Sequence, residues 1–163
     1  MIIAALTSQQ WPVKAQAARA IGTVATKLET NIQAETQARL VSLLLAGLEG
    51  RTWAGKESLM KSLADIVKSA PETLRAGMAL EEQDKLVEVM LRESRKEKTE
   101  YKVVALESTG TVLKEMKLDR FKAIYEIVGG YLPQSGINKE EETEKEEDDA
   151  DGGARKLNLQ QSL

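Results

Sequence analysis

Three stretches of this chain carry the same apolar stripe behind a lysine, and that repetition constrains the fold more than any other feature. Behind Lys14 come Ala17, Ala18, Ile21, Val24 and Ala25, and behind Lys56 come Leu59, Met60, Leu63, Ile66 and Val67. Behind Lys102 come Ala105, Leu106, Val112 and Leu113, with Thr109 in the third slot. The offsets +3, +4, +7, +10 and +11 draw one stripe along one face of an α-helix. The three lysines stand 42 and then 46 residues apart. That is the period of HEAT and armadillo repeats, in which a helix pair is one structural unit.

Partner helices are predicted between the stripes. Ala34 to Leu48 holds Leu40, Val41, Leu43, Leu44, Leu45 and Leu48 and is apolar around most of its circumference, as a helix packed on both sides should be. Leu80 to Glu97 holds Leu86, Val87, Val89, Met90 and Leu91, with Glu81, Glu82 and Asp84 in the first turn where the helix dipole favours anions. A last helix runs from Asp119, a plausible N-cap, through Phe121, Ile124, Ile127 and Val128 to Gly129-Gly130 and Pro133. Gly47, Gly50 and Gly55 bracket a short turn, and Ser69-Ala-Pro71 through Gly77 reads as a longer linker. Met1 to Leu6 reads as the stub of a further helix. The expectation is an all-α solenoid of six helices, two and a half to three helix pairs, over residues 1–133.

Residues 134–163 obey different physics. Nine acids, Glu140 to Asp151, stand there against Lys139, Lys145, Arg155 and Lys156, whereas the preceding residues carry a net charge of only +2. A like-charge run of this kind buries too little apolar surface to offset its ordering entropy, so a disordered acidic tail or insert is expected.

The composition narrows the chemistry. Neither cysteine nor histidine occurs, which removes disulfides, thiolate metal sites and the commonest general base. A carboxylate- or lysine-dependent enzyme is left as the weaker reading, and no catalytic, cofactor-binding or metal-binding residue is assigned. The cysteine-free composition fits a cytoplasmic or nuclear setting. No stretch approaches the roughly 20 apolar residues of a membrane-spanning helix.

Two motifs tempt otherwise. Gly50-Arg51-Thr52-Trp53-Ala54-Gly55-Lys56-Glu57 nearly spells a phosphate-binding loop, but Glu57 stands where a magnesium-ligating hydroxyl is required, and a helix precedes it rather than a strand. It reads instead as a turn between antiparallel helices with Trp53 packed over the junction. The basic run Arg92, Arg95, Lys96, Lys98 and Lys102 is interleaved with Glu93, Glu97 and Glu100, so it reads as a solvated helix end and not as a nucleic-acid patch.

The string Gly50-Arg51-Thr52-Trp53-Ala-Gly55-Lys56-Glu57, with Leu-Leu-Leu-Ala-Gly-Leu-Glu before it and Ser58-Leu-Met-Lys-Ser-Leu-Ala after it, resembles a turn of the HEAT-repeat proteasome adaptor and scaffold family (extracellular mutant protein twenty-nine and its homologues). Glu100-Tyr-Lys-Val-Val-Ala-Leu106, Val112-Leu-Lys and Asp119-Arg-Phe121 resemble that family's next repeat, and residues 139–151 resemble its acidic insert. The resemblance covers about Trp11 to Leu132 and implies an internal fragment of a much longer solenoid. It further implies a non-catalytic adaptor that binds 26S proteasome subunits, tethers regulatory to core particles, and needs no cofactor. A nuclear-transport module of the karyopherin type, built from the same helix pairs, is the alternative.

Overall fold

The computed structural model describes residues 1–28 and 32–130, and the acidic segment expected to be disordered lies outside them. Among the described residues there are eight helices and no strand: α1 (Ile2–Leu6), α2 (Trp11–Leu28), α3 (Ala34–Gly47), α4 (Glu57–Ser69), α5 (Pro71–Gly77), α6 (Leu80–Ser94), α7 (Thr99–Glu115) and α8 (Phe121–Gly129). The three striped segments are α2, α4 and α7. They pack side by side in chain order, α2 on α4 and α4 on α7, while α1, α3 and α6 each lie against their own striped partner. Two layers of stacked helices, each shielding its neighbour, are the arrangement the repeat predicts.

The middle stripe is the best formed. Leu59, Met60, Leu63, Ile66 and Val67 are all fully buried, because α4 has a striped helix on both flanks. The outer stripes deviate. Val24 on α2 is 42% exposed, contrary to the pattern. On α7, Leu106 and Leu113 are half-buried and face a second apolar cluster built on Val87, Leu91 and Ile127. Thr109 is buried in its apolar slot because its hydroxyl bonds back to the Ala105 carbonyl (2.6 Å) and meets the Ser94 hydroxyl (3.0 Å). A polar side chain is tolerated at such a site when its hydrogen-bonding capacity is used.

The expected linker after Ser69 is instead a helix, α5, with Pro71 in its first turn. Proline's fixed φ suits that position, and its missing N–H is not needed there. Ala70 (φ −151°, ψ 67°) breaks the chain between α4 and α5. Two glutamine amides secure the breaks. Gln37 of α3 donates from Nε2 to the Ile66 and Ala70 carbonyls at 3.2 and 3.3 Å. Gln83 of α6 donates likewise to the Arg75 and Met78 carbonyls at 3.1 and 3.0 Å. Helix ends leave carbonyls without intrahelical partners, and a buried end must find them elsewhere. The short helix α5 packs against α3 and α4 and carries the chain to the α6–α7 pair.

At the start of α6, Ala79 has no side-chain acceptor to offer, so only half of a capping box forms: its N–H donates to Glu82 Oε2 at 3.0 Å. Before α8, the Asp119 carboxylate accepts the Phe121 N–H at 3.1 Å, the capping role its position suggests.

Candidate functional site

The turn between α3 and α4 is the chemically richest place among the described residues. Gly50 and Gly55 both adopt positive φ (79° and 98°), the region where glycine carries no steric cost. A Cβ on Gly55 would come within 3.0 Å of Ala15 Cβ on α2, so the turn is also pressed against its neighbouring helix.

This folding of the turn drives Lys56 inward. Its side chain is completely buried. Its Nζ donates to the Gly50 carbonyl (3.1 Å) and the Arg51 carbonyl (3.2 Å) and lies 3.3 Å from Glu93 Oε2. An ammonium has three donors, and these three acceptors use them all. Glu93, at the end of α6, is also fully buried. Its Oε2 accepts from the Tyr101 hydroxyl of α7 at 2.7 Å, and its Oε1 accepts from Arg92 at 3.3 to 3.4 Å. Arg92 reaches on to Glu49 at 3.4 Å and to the Leu48 carbonyl, which ties the end of α3 to the end of α6.

Burial pushes the Lys56 ammonium below the usual lysine range, and the Glu93 carboxylate partly offsets the shift. Burial pushes the Tyr101 phenol well above the usual range, and the hydrogen bond to Glu93 and its negative charge push it the same way. The arrangement is a closed lattice in which each polar group has a partner. Lys56, Glu93 and Tyr101 are bonded to one another and to the backbone of the turn. The near-match to a phosphate-binding loop is resolved as well: backbone carbonyls point at the lysine, where an anion cradle would need N–H groups.

On the outer side of the turn Trp53 is 9% exposed and stacks on Trp11, the first residue of α2, with ring centroids 6.0 Å apart and planes 19° from parallel. Arg51 is exposed, and its guanidinium carbon lies 5.3 Å from the Trp11 ring centroid. Thr52 and Glu57 are half-buried. The motif residues are therefore assembled in one place, with Trp53 packed over the junction as expected.

The sequence reading missed Glu93, Tyr101 and Trp11 as participants. Glu93, Tyr101 and Lys102 are buried, so the run from Arg92 to Lys102 is not simply a solvated helix end. Alternation of charges suggested exposure, but tertiary pairing with Lys56 decides the matter for Glu93. The available signal was a tyrosine eight residues after the acid, placed to meet it across the α6–α7 turn. Trp11 gave no signal, since only stacking on Trp53 shows its role.

A family model described as "ECM29, C-terminal ARM-like repeats" matches residues 80–162, just over half of the chain. The chain belongs to this family. The Proteasome-associated protein ECM29 homolog of Drosophila melanogaster is 36% identical over 141 residues, covering 86% of this chain and 7% of the fly protein. The Proteasome adapter and scaffold protein ECM29 of Homo sapiens is 35% identical over 153 residues, covering 88% of this chain and 8% of the human one. This member thus spans less than a tenth of the length of these curated relatives. No solved structure matches it. The all-helical architecture agrees with the armadillo-like repeats of that family model.

Proposed function

We propose that this chain is a non-catalytic scaffold segment that binds the 26S proteasome and helps to tether its regulatory particle to its core particle, in the cytoplasm and the nucleus. The observation that carries the reading is identity of 35 to 36% over most of the chain to proteins named for proteasome association and scaffolding. The physical character of the molecule supports the same class. A stack of helix units exposes long faces to protein partners and asks for no reactive group. The buried lysine, glutamate and tyrosine are bonded to one another, and the lysine also holds two carbonyls of the turn in place. No helix among the described residues is long and apolar enough to cross a membrane.

The test uses purified components. The full chain, mixed with purified 26S proteasomes, is expected to co-sediment with them and to slow their separation into regulatory and core particles at low nucleotide. Sedimentation of the chain apart from proteasomes, core particles and regulatory particles alike would overturn the reading.

A further inference from the structure

From the outer side of the α3–α4 turn we infer that Trp11, Arg51 and Lys96 form a docking surface for an acidic segment of a partner protein, one that carries apolar side chains among its carboxylates. Three observations lead there. First, Trp11 leaves 42% of its surface in water although its ring stacks on the buried Trp53. A rigidly held, half-exposed Trp beside an Arg is the composition of an interface hot spot. Second, the local charge is positive. Arg51, Lys56, Arg92 and Lys96 meet at the turn around Glu49 and Glu93, and Lys96 Nζ comes within 3.5 Å of the Gly50 carbonyl. Glu49 and Glu93 are already held by Arg92 and Lys56, which leaves the guanidinium of Arg51 facing solvent above the Trp11 ring. Glu57, Glu100 and Lys98 line the adjoining cleft beside Trp53, so the positive field is centred on Arg51 and Lys96. Third, the surface is prepared in advance. Lys56 binds the carbonyls of Gly50 and Arg51 from beneath, so the backbone that presents Arg51 is fixed before any partner arrives. Preorganisation of this kind lowers the ordering cost of binding.

An acidic segment would set carboxylates against Arg51 and Lys96 and lay an apolar side chain against the exposed part of the Trp11 ring. The inference does not depend on which complex supplies the segment. It goes beyond proteasome association by naming the residues and the chemistry they select.

The experiment titrates the full chain with a synthetic peptide of alternating Glu and Leu and follows tryptophan emission. Saturable binding that weakens as salt rises is expected, together with at least a tenfold loss of affinity in R51E/K96E. Trp11→Phe should remove most of the emission change while circular dichroism shows an intact fold. The same charge reversal elsewhere, K61E/K68E on α4, should leave affinity unchanged. Equal binding of a Gln/Leu peptide, or equal losses in the two charge-reversal variants, overturns the inference. If substituting Glu140, Glu141, Glu142 and Glu144 by Gln in the full chain raises peptide affinity severalfold, the chain's own acidic segment is the occupant and the partner assignment falls. Concentration-dependent dimerisation abolished by Arg51→Glu would assign the surface to a second copy and overturn the inference equally. Purified proteasomes keep the two proposals apart. Wild-type and R51E/K96E chains binding them equally, with peptide binding lost, leaves the scaffold reading intact and puts the acidic segment on another protein.

Discussion

Lys56 Nζ and Glu93 Oε2 lie 3.3 Å apart with neither side chain reaching solvent, joining the start of α4 to the end of α6. Taking two charges out of water is costly, and their attraction with well-placed hydrogen bonds offsets that cost. Removing one partner leaves the other buried and unpaired. Lys56→Met should therefore lower stability by about 3 to 5 kcal/mol. In urea unfolding, the double variant Lys56→Met/Glu93→Gln should lose less than the two single losses summed, by about 1 to 3 kcal/mol. Strict additivity would show that the two groups do not stabilise each other.

Tyr101 predicts a loss of stability at alkaline pH. Its folded phenol titrates above the ordinary tyrosine value of 10.0, so its contribution is complete below pH 10 and declines as pH rises further. In that window the unfolded chain gives up a proton that the folded chain keeps, and the limiting slope is about 1.4 kcal/mol per pH unit. Lys56 acts in the opposite sense below the ordinary lysine value of 10.5, because its folded ammonium gives up its proton first. The comparison is therefore made above pH 10.5, where Tyr101→Phe should show a flatter decline than the wild type. Parallel slopes would contradict this assignment.

Trp53→Ala should cost about 3 kcal/mol or more, the usual loss for a buried Trp truncation. The variant also removes the ring on which Trp11 stacks, so the emission of the remaining Trp11 should shift to the red. A change within about 0.5 kcal/mol, the range of ordinary surface sites, would place Trp53 outside the packed junction.

Two glycines should respond oppositely. Gly55→Ala places a Cβ 3.0 Å from Ala15 at a φ of 98° and should destabilise by about 1 to 3 kcal/mol. Gly110 lies inside α7 with nothing within 4 Å of a Cβ position, so Gly110→Ala should stabilise by about 0.5 to 1 kcal/mol. Thermal melts of the pair decide it, and equal signs would refute the turn geometry.

Most of the helix layout could be read from spacing alone. All five stripe positions of α4 are buried because burial on two flanks leaves a helix no alternative face. Val24 escaped the pattern because α2 has a striped neighbour on one flank only, so its stripe is wider than the surface available to cover it. The segment from Ser69 to Gly77 looked like a linker because Pro and Gly usually mark breaks, yet here they mark the first and last residues of α5. The α3–α4 turn was visible as a motif. Its inward lysine was not, because Glu93 and Tyr101 come from a later unit, and periodicity within a helix carries no information about pairing between units.

The glutamine amides at the two breaks have a consequence for the direction of the stack. Gln37 fastens α3 to the end of α4, and Gln83 fastens α6 to the end of α5, so both ends of the short helix α5 are locked by directional bonds instead of greasy contact alone. Hydrogen bonds tolerate far less sliding than apolar packing does. The bearing on which α5 leaves α4 and delivers the chain to α6 is thus held by two side chains, much as a mitred joint sets the line of the next beam.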